Sequence, residues 1–182
     1  MVNELTPAEL RARAGRIRLV VTDIDGVLTD AGVYYSERGE ELRRFSLRDG
    51  MGVELLRDAG IETAFLSRED SGIVRARAKK LRVERVFLGV RDKLAHLPEI
   101  LHATALAPEA LAFIGDDVND LPLLRELSGV GLTGAPADAI DEVLDVVHHV
   151  SAAPGGHGAF RHFADAILRW RAEGLAPDRS EP

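Results

Sequence analysis

The sequence predicts an α/β domain: a doubly wound, mostly parallel β-sheet with helices on both faces. Short apolar, β-prone segments alternate with segments of helical spacing between residues 17 and 171. Strands that alternate with helices require right-handed crossover connections, which produce parallel strand pairs. The length of 182 residues suits one such domain with its own core. We therefore assign residues 1–173 to a single domain and residues 174–182, which are polar and include two prolines, to a flexible tail.

Each element is assigned in chain order from its local pattern. The segment 1–16 is polar and helix-prone, and an apolar strand follows at 17–21. Two strand-like segments, 33–35 and 42–45, flank a polar turn with a glycine and predict a β-hairpin. A helix at 51–59 then stops at a glycine. The remaining elements alternate: strands at 61–66, 85–88, 111–114, 130–132 and 146–150, and helices at 73–81, 94–103, 121–127, 137–144 and 160–171.

The composition excludes several classes of protein. The chain has 30 acidic and 23 basic residues, a formal net charge of -7 and no cysteine. The absence of cysteine excludes disulfides, thiolate metal sites and cysteine nucleophiles. The net acidity argues against nucleic acid or an anionic membrane as a partner. The N-terminus lacks the apolar core of a signal peptide and no apolar run is long enough to span a membrane, so we expect a cytoplasmic protein.

Two carboxylates follow the first predicted strand. Asp23 and Asp25 lie two residues apart at its end, and Gly26 allows the chain to turn there. Carboxylates placed so closely repel each other, and a bound divalent cation removes that cost. Taken alone, this short pattern is explained at least as well by a loop with acidic capping residues.

Three further strand ends carry polar residues. Ser67 follows one strand and, taken alone, is best explained as a helix N-cap. Lys93 follows the next strand, where a lysine is usually a solvated charge. The strand at 111–114 is followed by more acid than helix capping requires, namely Asp116, Asp117 and Asp120.

Together the four groups predict one site. The carboxyl ends of parallel strands meet at one edge of a sheet, so these side chains should lie near one another. That edge would offer carboxylates for a hard divalent cation, an ammonium and a hydroxyl for phosphoryl oxygens, and a carboxylate nucleophile. Oxygen ligands favour Mg²⁺ over Zn²⁺. The sequence therefore predicts phosphoryl-transfer chemistry.

The order of these groups resembles the haloacid dehalogenase (HAD) superfamily of phosphatases. The matching motifs are residues 23–29 (Asp-Ile-Asp-Gly-Val-Leu-Thr), Ser67, Lys93 and residues 115–120. The chain is most similar to the nearly cap-less branch that dephosphorylates 3-deoxy sugar acids, as indicated by Phe-Ser-Leu-Arg-Asp-Gly-Met-Gly at 45–52 and Gly-Gly-His-Gly at 155–158. This resemblance implies a HAD-like Rossmannoid fold with a small β-hairpin in place of a cap domain. It also implies a homotetramer whose hairpins meet at the centre.

The resemblance implies a role for each site residue. Asp23 would attack phosphorus to give an aspartyl-phosphate, and Asp25 would protonate the leaving group and then activate water. Ser67 and Lys93 would hold the phosphoryl oxygens. Mg²⁺ would be held by the Asp23 carboxylate, the Asp25 carbonyl and the Asp116 carboxylate. Two more carboxylates, Asp117 and Asp120, would orient Lys93 and the metal's waters. Substrate contacts would come from Thr29, Asp49, Glu69, Lys80 and Asn119.

One departure from the family pattern concerns the substrate. Octulosonate-type members follow the second motif with Gly-Arg, whereas this chain has Arg68 and Glu69. Glu69 together with Lys80 is more similar to the nonulosonate 9-phosphate phosphatases of the same branch. An acid there would hydrogen-bond sugar hydroxyls and repel a carboxylate. We therefore expect a nonulosonate 9-phosphate rather than octulosonate 8-phosphate as substrate. The alternative is that Glu69 pairs at the surface with Arg68 or Arg75.

Other interpretations stay open beside a phosphatase of a small phosphorylated sugar acid. One is an inactive HAD-like domain that mainly forms oligomers, and another is a phospho-acceptor receiver domain. The segment 155–158 is expected to be a flexible turn from its composition. In the family it lies near a neighbouring subunit's site, so His157 and Arg161 are candidate substrate contacts in trans.

Overall fold

The structure, a computed structural model, describes residues 5–175 and is built on a six-stranded parallel sheet. In chain order its strands are β1 (Leu19–Thr22), β4 (Glu62–Leu66), β5 (Arg85–Phe87), β6 (Leu111–Ile114), β7 (Leu132–Ala135) and β8 (His149–Val150). The spatial order is β5-β4-β1-β6-β7-β8, and every neighbouring pair is parallel. The first strand therefore lies in the middle of the sheet, the next two extend it to one edge, and the last three build the other half.

A separate two-stranded antiparallel hairpin lies outside this sheet. Its strands are β2 (Thr29–Ser36) and β3 (Gly39–Phe45), so the predicted hairpin is confirmed and is longer than expected. It is inserted directly after the first strand of the sheet and the loop that carries Asp23 and Asp25. It is the small insertion that the resemblance implies in place of a cap domain.

The helices cover both faces of the sheet. They are α1 (Pro7–Arg16), α2 (Leu47–Asp58), α3 (Gly72–Leu81), α4 (Leu97–Thr104), α5 (Leu121–Ser128), α6 (Asp141–Leu144) and α7 (Ala159–Leu175), with a short 3₁₀-helix at Pro108–Ala110. Within residues 5–175, no helix combines the length and apolar character that crossing a membrane would require.

Alternation along β1 separates two hydrophobic cores. Val20 packs in the core formed with α1, α2, α3 and α7, whereas Leu19 and Val21 pack in the core formed with α4, α5 and α6. Successive side chains of a strand point to opposite faces, so a strand covered on both faces is apolar throughout. This arrangement confirms the predicted doubly wound α/β fold.

Some element boundaries differ from the sequence prediction for local reasons. Helix α2 begins at Leu47 rather than near residue 51, because the Ser46 hydroxyl accepts from the Arg48 amide at 3.1 Å and caps the helix. Strand β7 starts two residues later than predicted, since the Gly131 amide still bonds the Leu127 carbonyl at 2.8 Å. Helix α7 extends to Leu175, two residues into the predicted tail. The rest of that tail, 176–182, lies outside the described residues.

Candidate active site

The carboxyl edge of the parallel sheet brings most of the predicted groups together. Asp23 follows β1, Ser67 follows β4, Lys93 lies in the loop after β5, and Asp116 follows β6. A cavity of about 250 Å³ opens here and is lined by Asp23, Asp25, Ala31, Ser67, Arg68, Glu69, Asp116, Asp117 and Asn119. A larger hollow of about 380 Å³ lies at the opposite edge and contains none of the predicted groups. The chemistry therefore singles out the smaller cavity.

Lys93 is a fully buried cation of this site. Its side chain is fully buried, and Nζ lies 2.8 Å from Asp23 Oδ1 and 2.5 Å from Asp120 Oδ1. Burial opposes the charged ammonium, but the two carboxylates outweigh it and raise the pKa of Lys93. The lysine therefore stays protonated and neutralises part of the acidic charge, and its interpretation as an ordinary solvated lysine is wrong.

Three carboxylates form a cluster suited to a divalent cation. One oxygen each from Asp23, Asp116 and Asp120 lie within 4.8 Å of one another. Asp116 Oδ1 is buried and has no hydrogen-bond partner among the described residues. Burial, with help from Asp120 and Asp117, raises the pKa of Asp116 to about 8, and burial also raises that of Asp23 well above its usual range. A bound Mg²⁺ would satisfy the free oxygen and favour the ionised forms, so the residues present fit the metal.

Asp120 also shapes the loop after β6. Its Oδ2 accepts from the Asp116 amide at 3.0 Å and from the Asp117 amide at 3.3 Å, while Oδ1 accepts from Lys93. This contact with Lys93 is the one through which Asp120 is predicted to orient that side chain. Asp117 lines the cavity and accepts from the Val118 amide at 2.7 Å, and no hydrogen bond or ion pair joins it to Lys93 in the described chain.

Gly26 is required by the close approach of two loops. Its φ is +85°, and a Cβ built there would lie 1.8 Å from Asp116 Oδ2. Any side chain would therefore displace the Asp116 carboxylate as well as strain the backbone. The absence of a side chain lets the loop after β1 pass directly beside the loop after β6.

Asp25 has a partner that the sequence did not predict. Arg43 Nη1, from strand β3, donates to both carboxylate oxygens of Asp25, at 2.6 and 2.8 Å. Burial raises the pKa of Asp25, and Arg43 offsets part of that rise. The two residues are 18 positions apart and meet only because the hairpin folds back over the loop after β1, so no local pattern could have indicated the pair.

Ser67 lines the cavity and does not cap a helix. Its hydroxyl accepts from the Glu69 amide at 3.1 Å, which tightens the turn after β4. Helix α3 begins five residues later and is capped by Ser71, whose hydroxyl accepts from the Ile73 amide at 3.3 Å. The interpretation of Ser67 as an N-cap is therefore wrong.

Arg68 and Glu69 are exposed residues that line the cavity. In the described chain neither forms an ion pair, and Arg75 pairs with Asp70 at 2.5 Å instead. The alternative that Glu69 is occupied by Arg68 or Arg75 is therefore not found. Glu69 is close enough to Asp25 for its charge to raise the Asp25 pKa.

The four other predicted substrate contacts lie in different places, and the cavity includes one of them. Asn119 lines the cavity. Thr29 is buried and its hydroxyl bonds the loop after β1, accepting from the Gly26 amide at 3.4 Å. Asp49 is buried and accepts from the Gly158 and Arg161 amides, at 3.2 and 3.0 Å. Lys80 is exposed in the last turn of α3, about 12 Å along the helix axis from its start, and does not line the cavity.

The segment 155–158 packs against the loop after β1. The Gly156 amide donates to the Val27 carbonyl at 2.9 Å, and a Cβ at Gly155 would lie 1.9 Å from the Gly26 carbonyl oxygen. Its glycines thus serve a close backbone contact, in place of the flexible turn expected from composition. His157 is exposed, and Arg161 is bonded to Asp165 at 2.8 Å within α7.

The chain is similar in sequence and in structure to several known proteins. No protein-family model matches the chain. A Haemophilus influenzae protein named 3-deoxy-D-manno-octulosonate 8-phosphate phosphatase KdsC is 37% identical over 172 residues, which cover 94% of each chain. A crystal structure of the phosphatase of that name from Moraxella catarrhalis, in complex with a magnesium ion, a phosphate ion and KDO, has a TM-score of 0.84 at 30% identity and covers 91% of this chain and 94% of its own.

A second solved structure links the fold to a superfamily. A putative HAD superfamily (subfamily III A) hydrolase from Legionella pneumophila has a TM-score of 0.84 at 33% identity, covering 91% of this chain and 89% of its own. The motifs, the fold and these similarities agree. The chain therefore belongs to the 3-deoxy-D-manno-octulosonate 8-phosphate phosphatase (KdsC) family, a family of phosphomonoester hydrolases within the HAD superfamily.

Proposed function

We propose that this protein is a Mg²⁺-dependent phosphatase of a phosphorylated 3-deoxy sugar acid that works through an aspartyl-phosphate on Asp23. The observation that carries the proposal is the buried group of Lys93, Asp23 and Asp120, with Asp116 completing the acidic cluster. It places one cation and a set of carboxylates around a single point beside a solvent-open cavity. That is the arrangement phosphoryl transfer needs, because catalysis there is mainly positioning and charge neutralisation.

The first step is attack by Asp23 on phosphorus. The Asp23 carboxylate oxygen forms a bond to phosphorus while the bond from phosphorus to the sugar oxygen breaks, and Asp25 gives its proton to that departing oxygen. In the second step Asp25 takes a proton from water, the water oxygen bonds to phosphorus, and the bond to Asp23 breaks to release inorganic phosphate. Lys93 and Ser67 hold the phosphoryl oxygens through both steps.

The acidic cluster supplies the metal's protein ligands. Asp23 and Asp116 would contribute carboxylate oxygens and Asp25 its backbone carbonyl, and Asp120 lies within the same cluster. When bound, Mg²⁺ neutralises charge on the phosphoryl group and keeps the neighbouring carboxylates ionised. Support for this metal comes from the oxygen-only ligand set and from the magnesium-bound relative.

Octulosonate 8-phosphate is the first candidate substrate, because the relatives at 35–37% identity carry that name. Nonulosonate 9-phosphate is the second, favoured by Glu69, whose carboxylate lines the cavity without an ion-pair partner in the described chain. Such a carboxylate would accept hydrogen bonds from sugar hydroxyls, whereas its repulsion of a substrate carboxylate would act on both sugar acids and does not separate them. Lys80 was expected to act with Glu69, and its position outside the cavity weakens the case for the nonulosonate.

We also propose that the protein forms a homotetramer through the hairpin. Tyr34, Tyr35 and Leu42 are each more than 60% exposed on β2 and β3, and Leu47 and Met51 are further exposed apolar residues in α2. Tyr34 and Leu42 are paired across the two strands, and exposed apolar side chains grouped in this way are typical of a protein interface. The cytoplasmic location expected from the sequence stays a prediction.

The proposed function is tested by phosphate release from three compounds: octulosonate 8-phosphate, a nonulosonate 9-phosphate and a simple alkyl phosphate. We expect turnover of a sugar-acid phosphate with Mg²⁺ and its loss with a chelator. No Mg²⁺-dependent release from either sugar acid would contradict the proposal and favour an inactive oligomerisation domain. Preference between the two sugar acids decides the substrate. Glu69→Arg should shift that preference toward the octulosonate, and Glu84→Arg, the same charge change at the opposite edge, should not.

A further inference from the structure

Arg43 links the hairpin to the loop that carries Asp25. Its side chain is 3% exposed, although it lies on a strand whose other residues are partly or fully exposed. Nη1 donates to both oxygens of Asp25, while Nε and Nη2 donate to the two oxygens of Glu40, at 2.7 and 2.8 Å. One planar guanidinium thus joins two carboxylates through four hydrogen bonds, and its orientation is fixed by them.

Glu40 is in turn tied to the neighbouring helix. Ser71, the N-cap of α3, donates from its hydroxyl to Glu40 Oε1 at 3.2 Å. The chain of contacts therefore runs from α3 through Glu40 and Arg43 to Asp25. It fixes the hairpin beside Asp25, which lines the cavity.

The Asp25 carboxylate has no other anchor in the described chain. Both of its hydrogen bonds come from Arg43, and 30% of its side chain is exposed to the cavity side. The charges of the neighbouring Glu40 and Glu69 raise the pKa of Asp25, so neither residue holds its carboxylate in place. Without Arg43, the Asp25 side chain would be free to rotate toward solvent.

From these contacts we infer that Arg43 is a positioning residue for the general-acid step, acting through Asp25 from the hairpin. This inference rests on the proposed function, since it assigns Asp25 to protonation of the departing oxygen. Arg43 does not touch the reacting atoms. It holds the Asp25 carboxyl group in the direction from which its proton reaches the bridging oxygen as the bond from phosphorus to that oxygen breaks and the bond from Asp23 forms.

The test compares two leaving groups. An alkyl sugar-acid phosphate needs a proton on its departing oxygen, whereas p-nitrophenyl phosphate loses a stable phenolate without one. The ratio kcat/KM reports the steps up to departure of the leaving group and excludes the later hydrolysis of the intermediate. For Arg43→Ala we expect kcat/KM to fall about 100-fold on the sugar-acid phosphate, the scale of general-acid catalysis, and far less on the aryl phosphate.

Matched variants separate positioning from folding. Arg38→Ala removes an exposed hairpin arginine whose one ion pair within residues 5–175 is with Glu41, and it should leave kcat/KM for both substrates unchanged. Glu40→Gln keeps Arg43 but weakens its anchor, so it should give a smaller loss with the same selectivity for the alkyl substrate. In an Asp25→Ala background, Arg43→Ala should add less than about twofold, because residues acting through one group are not additive.

Three outcomes overturn the inference. They are an equal loss on both substrates, no loss on the alkyl substrate, and a further loss of tenfold or more in the Asp25→Ala background. A wild-type enzyme with no Mg²⁺-dependent activity would overturn the proposed function as well. An active wild type whose Arg43→Ala variant loses both substrates equally would overturn the role of Arg43 alone.

Discussion

At the residue scale, the buried ammonium of Lys93 holds the site together. Its side chain is fully buried, and its two partners, Asp23 and Asp120, are almost completely buried with it. Two carboxylates in such a place would repel each other, and each would lose most of its hydration. Lys93 compensates one of the two charges and leaves the cluster attractive to a divalent cation.

Lys93→Met should therefore both inactivate and destabilise the protein. Removing one partner of a buried ion pair typically costs about 3–5 kcal/mol, because the remaining charge is left uncompensated. We expect the free energy of unfolding in denaturant, measured with a chelator present, to fall by an amount of this order. Lys79→Met, at an exposed position on α3, is the control and should change little. A loss below about 1 kcal/mol for Lys93→Met would contradict this account.

Gly26→Ala should remove activity without unfolding the protein. The new methyl would overlap Asp116 Oδ2, and the backbone there has φ +85°. Gly60→Ala is the matched control, since φ is +75° and nothing lies within 4 Å of its Cβ position. Both should lose about 1–2 kcal/mol of stability from left-handed strain, but only Gly26→Ala should lose phosphatase activity, by about 100-fold or more. Equal activity of the two variants would argue against the close contact.

At the element scale, strand ends could be predicted from sequence and contacts between distant loops could not. Four strands of the sheet, β1, β4, β5 and β6, are mostly apolar and each is followed within a few residues by a polar group. Their order was enough to place Asp23, Ser67, Lys93 and Asp116 at one edge. Arg43 gave no such signal, because an arginine on a hairpin is ordinarily solvated. Its burial depends on where the hairpin folds, which is a tertiary property.

Two further features could not be predicted for the same reason. The glycines of 155–158 looked like a flexible turn, because composition gives the chain's freedom and not its contacts. Lys80 looked like a substrate contact because the family pattern gives its position in sequence. The structure places Lys80 in the last turn of α3. The cavity lies at the carboxyl end of β4, the strand that precedes the first turn of this helix.

Two half-buried histidines, His148 just before strand β8 and His149 at its start, should make the stability of the fold sensitive to acid. Burial lowers the pKa of His148 and of His149 to about 4, and Nε2 of each is buried without a partner in the described chain. An unfolded histidine titrates near 6.5, so between about pH 6.5 and pH 4 the unfolded chain binds more protons than the folded one. The free energy of unfolding should therefore decrease as pH falls through this window and be insensitive to these groups above it.

His149→Phe should reduce that dependence. The ring of His149 lies 5.9 Å from Phe163 and 5.8 Å from Trp170, centroid to centroid, so phenylalanine keeps the aromatic contacts and removes the titration. Denaturant unfolding at pH 7, 6 and 5 measures the slope. His102→Gln, at an exposed position on α4, should leave the slope unchanged. A slope for His149→Phe equal to that of the wild type would contradict the contribution of His149 to the acid sensitivity.

At the scale of the whole molecule, the net charge of -7 is concentrated in one place. Asp23, Asp25, Asp116, Asp117 and Asp120 account for five of the 30 acidic residues, and without them the formal charge would be -2. The acidity is thus largely a property of the predicted metal site. It does not oppose an anionic substrate, because a bound divalent cation and Lys93 would offset three of these five negative charges and present positive charge to the phosphoryl oxygens.

The apolar surface of the hairpin should hold the proposed tetramer together. Tyr34 and Leu42 are directly opposite each other across β2 and β3, and both are mostly exposed. Tyr34→Lys combined with Leu42→Glu should give a smaller species in sedimentation velocity, while Val150→Lys, at an exposed apolar residue on β8, should not. A monomeric wild type, or a double variant that sediments as the wild type does, would contradict the proposed assembly.

The most direct test of the central claim is turnover of the sugar-acid phosphate by Asp23→Asn in saturating Mg²⁺. The substitution keeps the size of the side chain and removes the nucleophilic carboxylate that lies 2.8 Å from Lys93. We predict that the variant folds as the wild type does, judged by circular dichroism, and that phosphate release falls to the background rate. Release at a rate near that of the wild type would contradict the assignment of Asp23 as nucleophile and, with it, the proposed mechanism.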